Sequence, residues 1–558
     1  MEKQDEYDIR QTVHGFISNE ISNSENEYFR KHENNIGFLM YYPLIKIEKR
    51  FIESDPNFAL VEKERIAIGW FIRKMLSRIT NTNLVFTYKQ NEFNEFENNY
   101  PLILNLYMDF QLSKLVLDMR SISKMVIEVN NDLIVFKSPI VEDEYEKEHI
   151  YFWRLGEEQA AEYEEEQGQK VVNHLISNYS CFKIGPFNKF IPHRPGMQAT
   201  KRLHIDIDTN LLDLSINRVG TDLRKLGESV KSPVIDCIQS LKKIVGFLYY
   251  LGHTLHYQLQ ANMVLGLQSN FNQIIVQVQK EWLIKKIHTA TGLLSKSIER
   301  YLDYFTLNPN FEGGLAEFPL VTYGDLIVFP PVNVMLNDWH ITLVNGHYYK
   351  DIKFHKRDET IAKNIINGII DKAMPFENIT CCSNKYYEFF NDKGIKQNSD
   401  IDVALYDELS NTILIIECKW KENIYLDREN YINLEDALNK IYSKQLLKHK
   451  EFLDNYCSNI IDYLFSKDHN QSVLNIFYIA VDKRSQLHTE EKHMLSLNIL
   501  LKMIDDFSDN NTLNLDGLIN DINSLKTIVN YQIISSQVNE IIYQNKTVIV
   551  SGLSLNYS

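Results

Sequence analysis

The chain has 558 residues, enough for two or three domains with ample cores. Its hydrophobic fraction of 44% and charged fraction of 24% are ordinary for a globular protein, and no apolar run reaches the roughly 20 residues of a membrane span. The net charge of −15 argues against a general polyanion binder, and the six scattered cysteines, with no C-x-x-C pair, argue against a zinc ribbon or a disulfide framework. The N-terminus lacks a signal-peptide core, so we expect a cytoplasmic protein with no membrane association.

The first part of the chain predicts a mixed α/β, helix-rich region over residues 1–310, with a recognition or regulatory role. Alternating apolar residues predict a hairpin between residues 124 and 137, and helical spacing predicts long helices between 233 and 306. Glycines and prolines then mark a boundary. We interpret residues 311–350 as a connecting β-hairpin segment and residues 351–558 as a second, α/β domain with a helical C-terminal extension. This extension is predicted to close with a short strand at residues 547–550. The predicted fold class is therefore multidomain α+β.

The second domain begins with a predicted helix from Asp358 to about Ala373. Isoleucines form one broad apolar face, and Pro375 follows the end of the helix. Glu359 lies in the first turn, where an acid is also favoured simply by the helix dipole. Residues 378–390 are a candidate strand with weak periodicity.

The most informative stretch is the β-hairpin that comes next. Two apolar runs, 399–406 and 412–420, flank a cluster of turn-forming residues. This register places Asp402 roughly opposite Glu417, and directly opposed residues lie about 4.5–5.5 Å apart at Cβ. Glu417 and Lys419 share a face because side chains alternate along a strand. Asp400 lies on the face of Asp402 and stays open as a rival.

Two acids at one point repel each other unless a cation lies between them. Carboxylates at this density suit Mg²⁺ or Mn²⁺, which take one or two protein carboxylates and keep several waters. Such an ion polarises a phosphate and lowers the pKa of a bound water. The pattern therefore predicts metal-assisted hydrolysis of a phosphodiester, with Asp402 and Glu417 as metal ligands. Lys419 would orient the water or stabilise developing charge.

A helix from Asn433 to Phe452 is predicted after the hairpin. Gln445 lies on its apolar stripe, where an apolar residue is expected. Three lysines recur every four residues in a stretch without acids, namely Lys440, Lys444 and Lys448. They predict either a basic ridge that contacts backbone phosphates or an ordinary solvated face. Residues 472–481 then read as a buried strand.

The hairpin resembles that of the PD-(D/E)XK nuclease superfamily, whose restriction-endonuclease-like core places Asp and Glu-x-Lys on adjacent strands. Ile401-Asp402-Val403 matches the first half of the motif, and Ile416-Glu417-Cys418-Lys419-Trp420 matches the second. The proline of the motif is absent, and Ser399-Asp400 occupies a similar place. The resemblance covers roughly residues 355 to 485 and implies an αβββαβ core. It also implies that Gln445, from the following helix, and Glu359, at the start of the first helix, join the site.

The resemblance implies a Mg²⁺- or Mn²⁺-dependent endonuclease. DNA is the expected substrate, and RNA stays open because both present the same phosphodiester. A large acidic N-terminal region on a compact nuclease resembles bacterial restriction and phage-defence effectors, which suggests a homo-oligomer or a partner protein. The alternative is a nucleic-acid-binding or scaffolding subunit that keeps the fold without turnover. No Walker A loop is present, so an ATP-driven motor in this chain is not expected.

Overall fold

A computed structural model shows the architecture of the chain, a multidomain α+β fold. The residues that the structure describes are 3–53, 58–82, 86, 88–117, 126–130, 133–137, 168–177, 207–224, 226, 230–264, 274–354, 357–391, 393–419, 436–467, 475–483, 487–488, 492–525, 531–543 and 546–557.

The N-terminal half consists mainly of helices. They are α1 (Lys3–His32), α2 (Tyr42–Glu53), α3 (Phe58–Leu76), α4 (Gln90–Leu117), α5 (Thr209–Arg224), α6 (Ile238–Val264), α7 (Lys280–Thr291), α8 (Ser295–Tyr304), α9 (Pro331–Met335) and α10 (Trp339–Tyr349). A π-helical turn, Gly37–Tyr41, separates α1 from α2. The long helices predicted between residues 233 and 306 are confirmed as α6, α7 and α8. Gly292 ends α7 with a φ of 71°, a conformation that glycine adopts at little cost.

Two small groups of strands accompany these helices. The hairpin predicted between residues 124 and 137 is confirmed as β1 (Val126–Asn130) and β2 (Leu133–Lys137). A three-stranded sheet combines β3 (Val276–Gln279), β4 (Val321–Tyr323) and β5 (Leu326–Phe329) in the order β3-β5-β4. The hairpin expected in residues 311–350 is thus present, and its apolar side chains belong to the large N-terminal core.

The C-terminal half is built around a six-stranded sheet. Its elements are α11 (Arg357–Ala373), β6 (Ile379–Phe390), β7 (Lys396–Asp407), β8 (Thr412–Lys419), a π turn (Tyr442–Leu446), α12 (Leu447–Asn455), α13 (Ile460–Phe465), β9 (Asn475–Asp482), β10 (Leu487–His488), β11 (His493–Ser496), α14 (Leu497–Asp506), β12 (Ser508–Asp509), β13 (Thr512–Leu513) and α15 (Leu515–Ser524). Residues 436–441 are helical as well and lead into the π turn. The sheet order is β10-β11-β9-β8-β7-β6, with β8 parallel to β9 and antiparallel to β7. Among the described residues, the predicted helix, three strands, helix and strand are all observed in that order, with one further short helix, α13, that the sequence does not predict.

Alternation along the strands gives this sheet two separate cores. Val403, Leu414 and Ile416 pack under α11, α14 and α15 on one face. Ile413 and Ile415 pack on the other face, under α12, α13 and the helical residues before the π turn. β8 is buried on both faces because it lies inside the sheet, which explains its continuous apolar run.

The end of the chain differs from the prediction of a helical extension. α14 and α15 are helical, but β14 (Tyr531–Tyr543) and β15 (Lys546–Tyr557) form a long antiparallel hairpin. β15 also pairs in parallel with β2, which completes a second sheet in the order β1-β2-β15-β14. The short closing strand predicted at residues 547–550 is confirmed within β15, whereas the sequence does not predict the rest of this hairpin. None of the described helices is long and apolar enough to cross a membrane.

Candidate active site

The site lies where β7 and β8 separate. Their ladder runs regularly from the turn to the pair Val403–Ile416, the last described pair. β8 continues through Glu417 to Lys419, paired there with β9. Beyond that pair, β7 contacts β8 through the side chain of Asp402 rather than through its backbone. The Oδ2 atom of Asp402 accepts a hydrogen bond from the backbone N–H of Cys418 at 2.7 Å. The carboxylate of Asp402 is thereby held against the end of β8.

An irregularity in β7 accompanies this separation. Val403 and Leu405 pack in the core under α11, so regular alternation would place Ile401 there too. Ile401 instead packs in the opposite core. Across the ladder from Asp402, Asn384 has a φ of 50°, an uncommon value for a residue other than glycine. The side chains of β6 and β7 therefore switch faces of the sheet at Asn384 and Asp402. At this point the Asp402 side chain leaves the regular alternation.

Glu417 contacts both a lysine and a histidine of the site. Its carboxylate is buried, and Oε1 accepts from Lys419 Nζ at 2.6 Å, whereas Oε2 contacts His449 Nε2 at 3.0 Å. The Lys419 side chain is 31% exposed, so the ammonium reaches solvent. Behind His449, the Tyr387 hydroxyl contacts the Nδ1 atom at 2.6 Å. One buried carboxylate thus joins a cation at the surface to a polar pair in the interior.

Asp402 and Glu417 repel each other in this cluster. Burial and the neighbouring charge of Glu417 raise the pKa of Asp402 to about 7, although Lys419 and the Cys418 N–H oppose the rise. Burial lowers the pKa of Lys419, but the charge and hydrogen bond of Glu417 outweigh it, so the pKa lies above its usual value. Two carboxylates therefore share one ammonium, and an additional cation would relieve their repulsion.

Three further residues that the sequence analysis connects with the site are Asp400, Glu359 and Gln445. Asp400 is exposed, whereas Asp402 is half-buried at the strand separation. Glu359 is in the first turn of α11, as predicted from the sequence, and its side chain lies outside the described part of the structure. Gln445 is half-buried within the π turn, and the residue of its helix that reaches Glu417 is His449, four positions later. Trp420 also lies outside the described residues.

The three predicted phosphate-binding lysines lie on the helix that covers the Glu417 face of the sheet. Lys440 and Lys444 are exposed. Lys448 is half-buried, and its Nζ donates to the backbone carbonyl of Asn398 on β7 at 3.4 Å. A π turn between Lys440 and Lys448 means that they do not follow a strict α-helical stripe.

Sequence reasoning missed His449 and Tyr387. His449 lies three residues before Phe452, so the apolar stripe that was identified for Gln445 also contained it. Tyr387 lies on β6, whose periodicity was weak because β6 is an edge strand with mixed burial. Asp482 was also missed. It is fully buried at the end of β9, beside Lys419 in the parallel ladder.

A metal site of three or more His, Cys, Asp or Glu side chains is not found among the residues that the structure describes. Two carboxylates are nevertheless sufficient for Mg²⁺, which binds one or two of them and keeps its waters. The crowding of Asp402 and Glu417 around one ammonium fits such an ion.

Comparisons with known proteins add little. No protein-family model and no curated protein matches the chain. Among solved structures, protein VC1899 from Vibrio cholerae is 13% identical, with a TM-score of 0.17; the match covers 55% of this chain and 59% of that protein. The match thus spans less than two thirds of that protein, and a likeness at this level carries no argument about fold or function.

Proposed function

We propose that the chain is a divalent-metal-dependent endonuclease that hydrolyses phosphodiester bonds, with DNA as the expected substrate. One observation supports it above all. A buried Glu417, bonded to a solvent-accessible Lys419, stands beside Asp402 at the point where two strands separate. Such an arrangement has little use in a sheet that only needs to pack, because a buried acid beside a second acid is unfavourable.

Asp402 and Glu417 would hold the ion, Mg²⁺ or Mn²⁺. Each carboxylate oxygen can accept about two bonds. The contacts to Lys419, His449 and the Cys418 N–H leave capacity on both side chains. When bound, the ion would polarise a phosphate oxygen and lower the pKa of a water.

Lys419 supplies the positive charge that the chain itself brings to the reaction. Its pKa is raised, so it stays protonated at neutral pH, and its partial exposure lets it meet a phosphate oxygen. A fixed ammonium at that place stabilises the negative charge that grows on the phosphate oxygens as the bond breaks. Glu417 holds it there.

Substrate binding is proposed to rest on local positive charge, since the chain as a whole is acidic. Lys440, Lys444 and Lys448 lie on the helix that carries His449, on the Glu417 side of the sheet. They would contact backbone phosphates without reading sequence. Glu359 and Gln445 remain proposed accessory residues. A role in restriction or phage defence, with a partner or a second copy, is an analogy from architecture.

The test is a cleavage assay on supercoiled plasmid, single-stranded DNA and RNA, with Mg²⁺, Mn²⁺, Ca²⁺ or excess chelator. We expect cleavage with Mg²⁺ or Mn²⁺ and poor support by Ca²⁺, which is larger and takes more ligands. Glu417→Gln should be inactive, and Asp400→Asn is the matched control on an exposed acid. Undiminished cleavage in excess chelator, or by Glu417→Gln, would falsify the mechanism. An intact, nucleic-acid-binding chain that never cleaves would favour the scaffolding alternative.

A further inference from the structure

A line of buried hydrogen bonds runs from Glu417 into the interior of the second domain. His449 has no exposed surface and Tyr387 is 3% exposed, so water does not compete for these bonds. The contacts are short, at 3.0 Å from Glu417 Oε2 to His449 Nε2 and 2.6 Å from His449 Nδ1 to the Tyr387 hydroxyl. Each of the three residues comes from a different element: β8, α12 and β6.

The chemistry of the groups assigns the protons along this line. Burial raises the pKa of Tyr387 well above its usual value, against a hydrogen bond from Ser399 that lowers it, so the phenol stays protonated. With the phenol protonated, its O–H can donate to Nδ1 of His449, and a ring that accepts there carries its proton on Nε2. Nε2–H donates to Glu417 Oε2. Both ends of the imidazole are held, so the ring cannot rotate without breaking a buried hydrogen bond.

We infer that His449 is a positioning residue for the proposed metal centre and that Tyr387 fixes its tautomer. This inference rests on the proposed function. The ring holds one oxygen of Glu417, so the carboxylate plane is fixed, and Lys419 holds the other from the solvent side. Partners that orient a metal-binding carboxylate in this way typically change metal affinity by roughly 10- to 100-fold when they are lost.

Burial of the Glu417–His449 pair does not by itself establish that His449 positions a metal ligand, because a second buried glutamate–histidine pair lies in the N-terminal core. His256 Nδ1 contacts Glu48 Oε1 at 2.9 Å, and both side chains are buried. That pair offers a matched control, since it has the same chemistry and lies outside the candidate site.

The experiment measures Mn²⁺ binding to the full-length, metal-free chain by electron paramagnetic resonance, together with thermal unfolding. Four variants are compared with the wild type: His449→Leu, His449→Gln, Tyr387→Phe and His256→Leu. We expect His449→Leu to weaken Mn²⁺ binding by roughly 10- to 100-fold. His449→Gln should recover part of the loss because its amide can still donate, and Tyr387→Phe should cost less because only the orientation of the ring is loosened. His256→Leu should lower thermal stability and leave Mn²⁺ affinity unchanged.

Cleavage kinetics give an independent readout. If His449 positions Glu417, its variants should regain much of the wild-type rate at saturating Mn²⁺. Should His449→Leu fail to fold, Tyr387→Phe carries the test, since it removes a single oxygen atom. Folded His449 and Tyr387 variants that bind Mn²⁺ like the wild type would overturn the inference while leaving the nuclease proposal intact. A wild-type chain that neither binds Mn²⁺ nor cleaves would overturn both.

Discussion

Each half of the molecule contains a buried glutamate–histidine pair, and the two pairs differ in what holds the second carboxylate oxygen. In the N-terminal half, Glu48 contacts His256 with one oxygen, and its other oxygen accepts from the backbone N–H of Val332 at 2.7 Å. In the C-terminal half, Glu417 contacts His449, and its other oxygen is bonded to Lys419, a side chain that reaches solvent. Both oxygens of Glu48 are bonded to buried groups, so we call Glu48–His256 the closed pair. One oxygen of Glu417 is bonded to a partly exposed lysine beside a second acid, so we call Glu417–His449 the open pair.

The closed pair has a structural explanation that is complete without a ligand. Glu48 lies on α2, His256 on α6 and Val332 in the first turn of α9, so the carboxylate joins three helices. A carboxylate at a helix start also interacts favourably with the helix dipole. Burial of an acid is therefore a weak sign of function. An acid that is buried, has an exposed cation and adjoins a second acid is a stronger one.

The sharpest way to test this contrast is to neutralise both glutamates. Glu417→Gln should reduce plasmid cleavage roughly a thousandfold or more, because losing a metal ligand removes several kcal/mol of transition-state stabilisation. Glu48→Gln should instead lower the free energy of unfolding by about 1–3 kcal/mol, the usual cost of disturbing a buried hydrogen-bonded group. Cleavage rate per folded molecule and urea unfolding measure the two effects. Equal losses of cleavage in both variants would break the contrast.

Lys419 tests whether the open end of the second pair takes part in the chemistry. Lys419→Met should lower turnover by roughly 100- to 1,000-fold, in line with the loss of one fixed donor to a developing oxyanion. Nucleic-acid affinity, measured by fluorescence anisotropy without metal, should largely persist. Lys450→Met is the control, since Lys450 is an exposed lysine of α12 that pairs with Asp454 at 3.2 Å. If Lys419→Met retained turnover, the open pair would be no more catalytic than the closed one.

The lysines of the neighbouring helix should affect binding without affecting the chemical step. Lys444→Ala and Lys448→Ala should each reduce the slope of log affinity against log salt by roughly one, because each phosphate contact releases about one counterion. Single-turnover rates at saturating substrate should stay close to the wild type. Anisotropy over a salt series measures the slope, and an unchanged slope in the double variant would place the nucleic acid elsewhere.

The smallest expected effect concerns stability without metal. Asp402 has a pKa of about 7 in the folded chain, above the usual value of 3.8, so the folded state binds more protons than the unfolded state between these values. This group therefore makes the metal-free fold less stable as the pH rises from 4 to 7. Asp402→Asn should inactivate the chain yet raise its free energy of unfolding at pH 8 by about 1 kcal/mol, with the gain shrinking as the pH falls towards 4.

Asp400→Asn serves as the control for that measurement, because Asp400 is exposed. Its removal should leave stability within about 0.5 kcal/mol of the wild type, as for most surface substitutions. Chemical unfolding at several pH values, in the presence of chelator, gives both quantities. A destabilised Asp402→Asn variant at pH 8 would show that its carboxylate is not under repulsion.

Much of the second half could be predicted because its signals are local. The buried run of β8, the turn before Thr412 and the spacing of Glu417 and Lys419 depend only on neighbours in sequence. The contacts of His449 and Tyr387 could not be predicted in this way. These contacts depend on the His449 side of α12 facing the sheet and on β6 extending beyond the end of β8. Neither fact can be read from residues that are neighbours in sequence.

Non-local pairing explains the remaining error. Residues 531–543 and 546–557 form strands that complete a sheet with residues 126–130 and 133–137, which are about 400 positions earlier in the chain. Periodicity indicates that a segment is extended but not which distant strand it joins, so the short strand at residues 547–550 could be predicted but its place beside β2 could not. The switch of faces at Asp402 escaped prediction for a related reason, because it depends on Asn384 on the partner strand.

The π turn at Tyr442–Leu446 makes the geometry of the site sensitive to the length of the chain rather than to the identity of one side chain. A π turn accommodates one residue more than an α-helical path between the same ends. The helix is held at the start of this turn by the Tyr442 hydroxyl, which donates to the carbonyl of Tyr478 at 3.0 Å and accepts from the N–H of His493 at 2.8 Å. Losing one residue after that anchor would rotate everything beyond it by about 100°. His449 would then turn away from Glu417 although every residue of the site was still present, so in this helix a one-residue deletion is a more severe change than most substitutions.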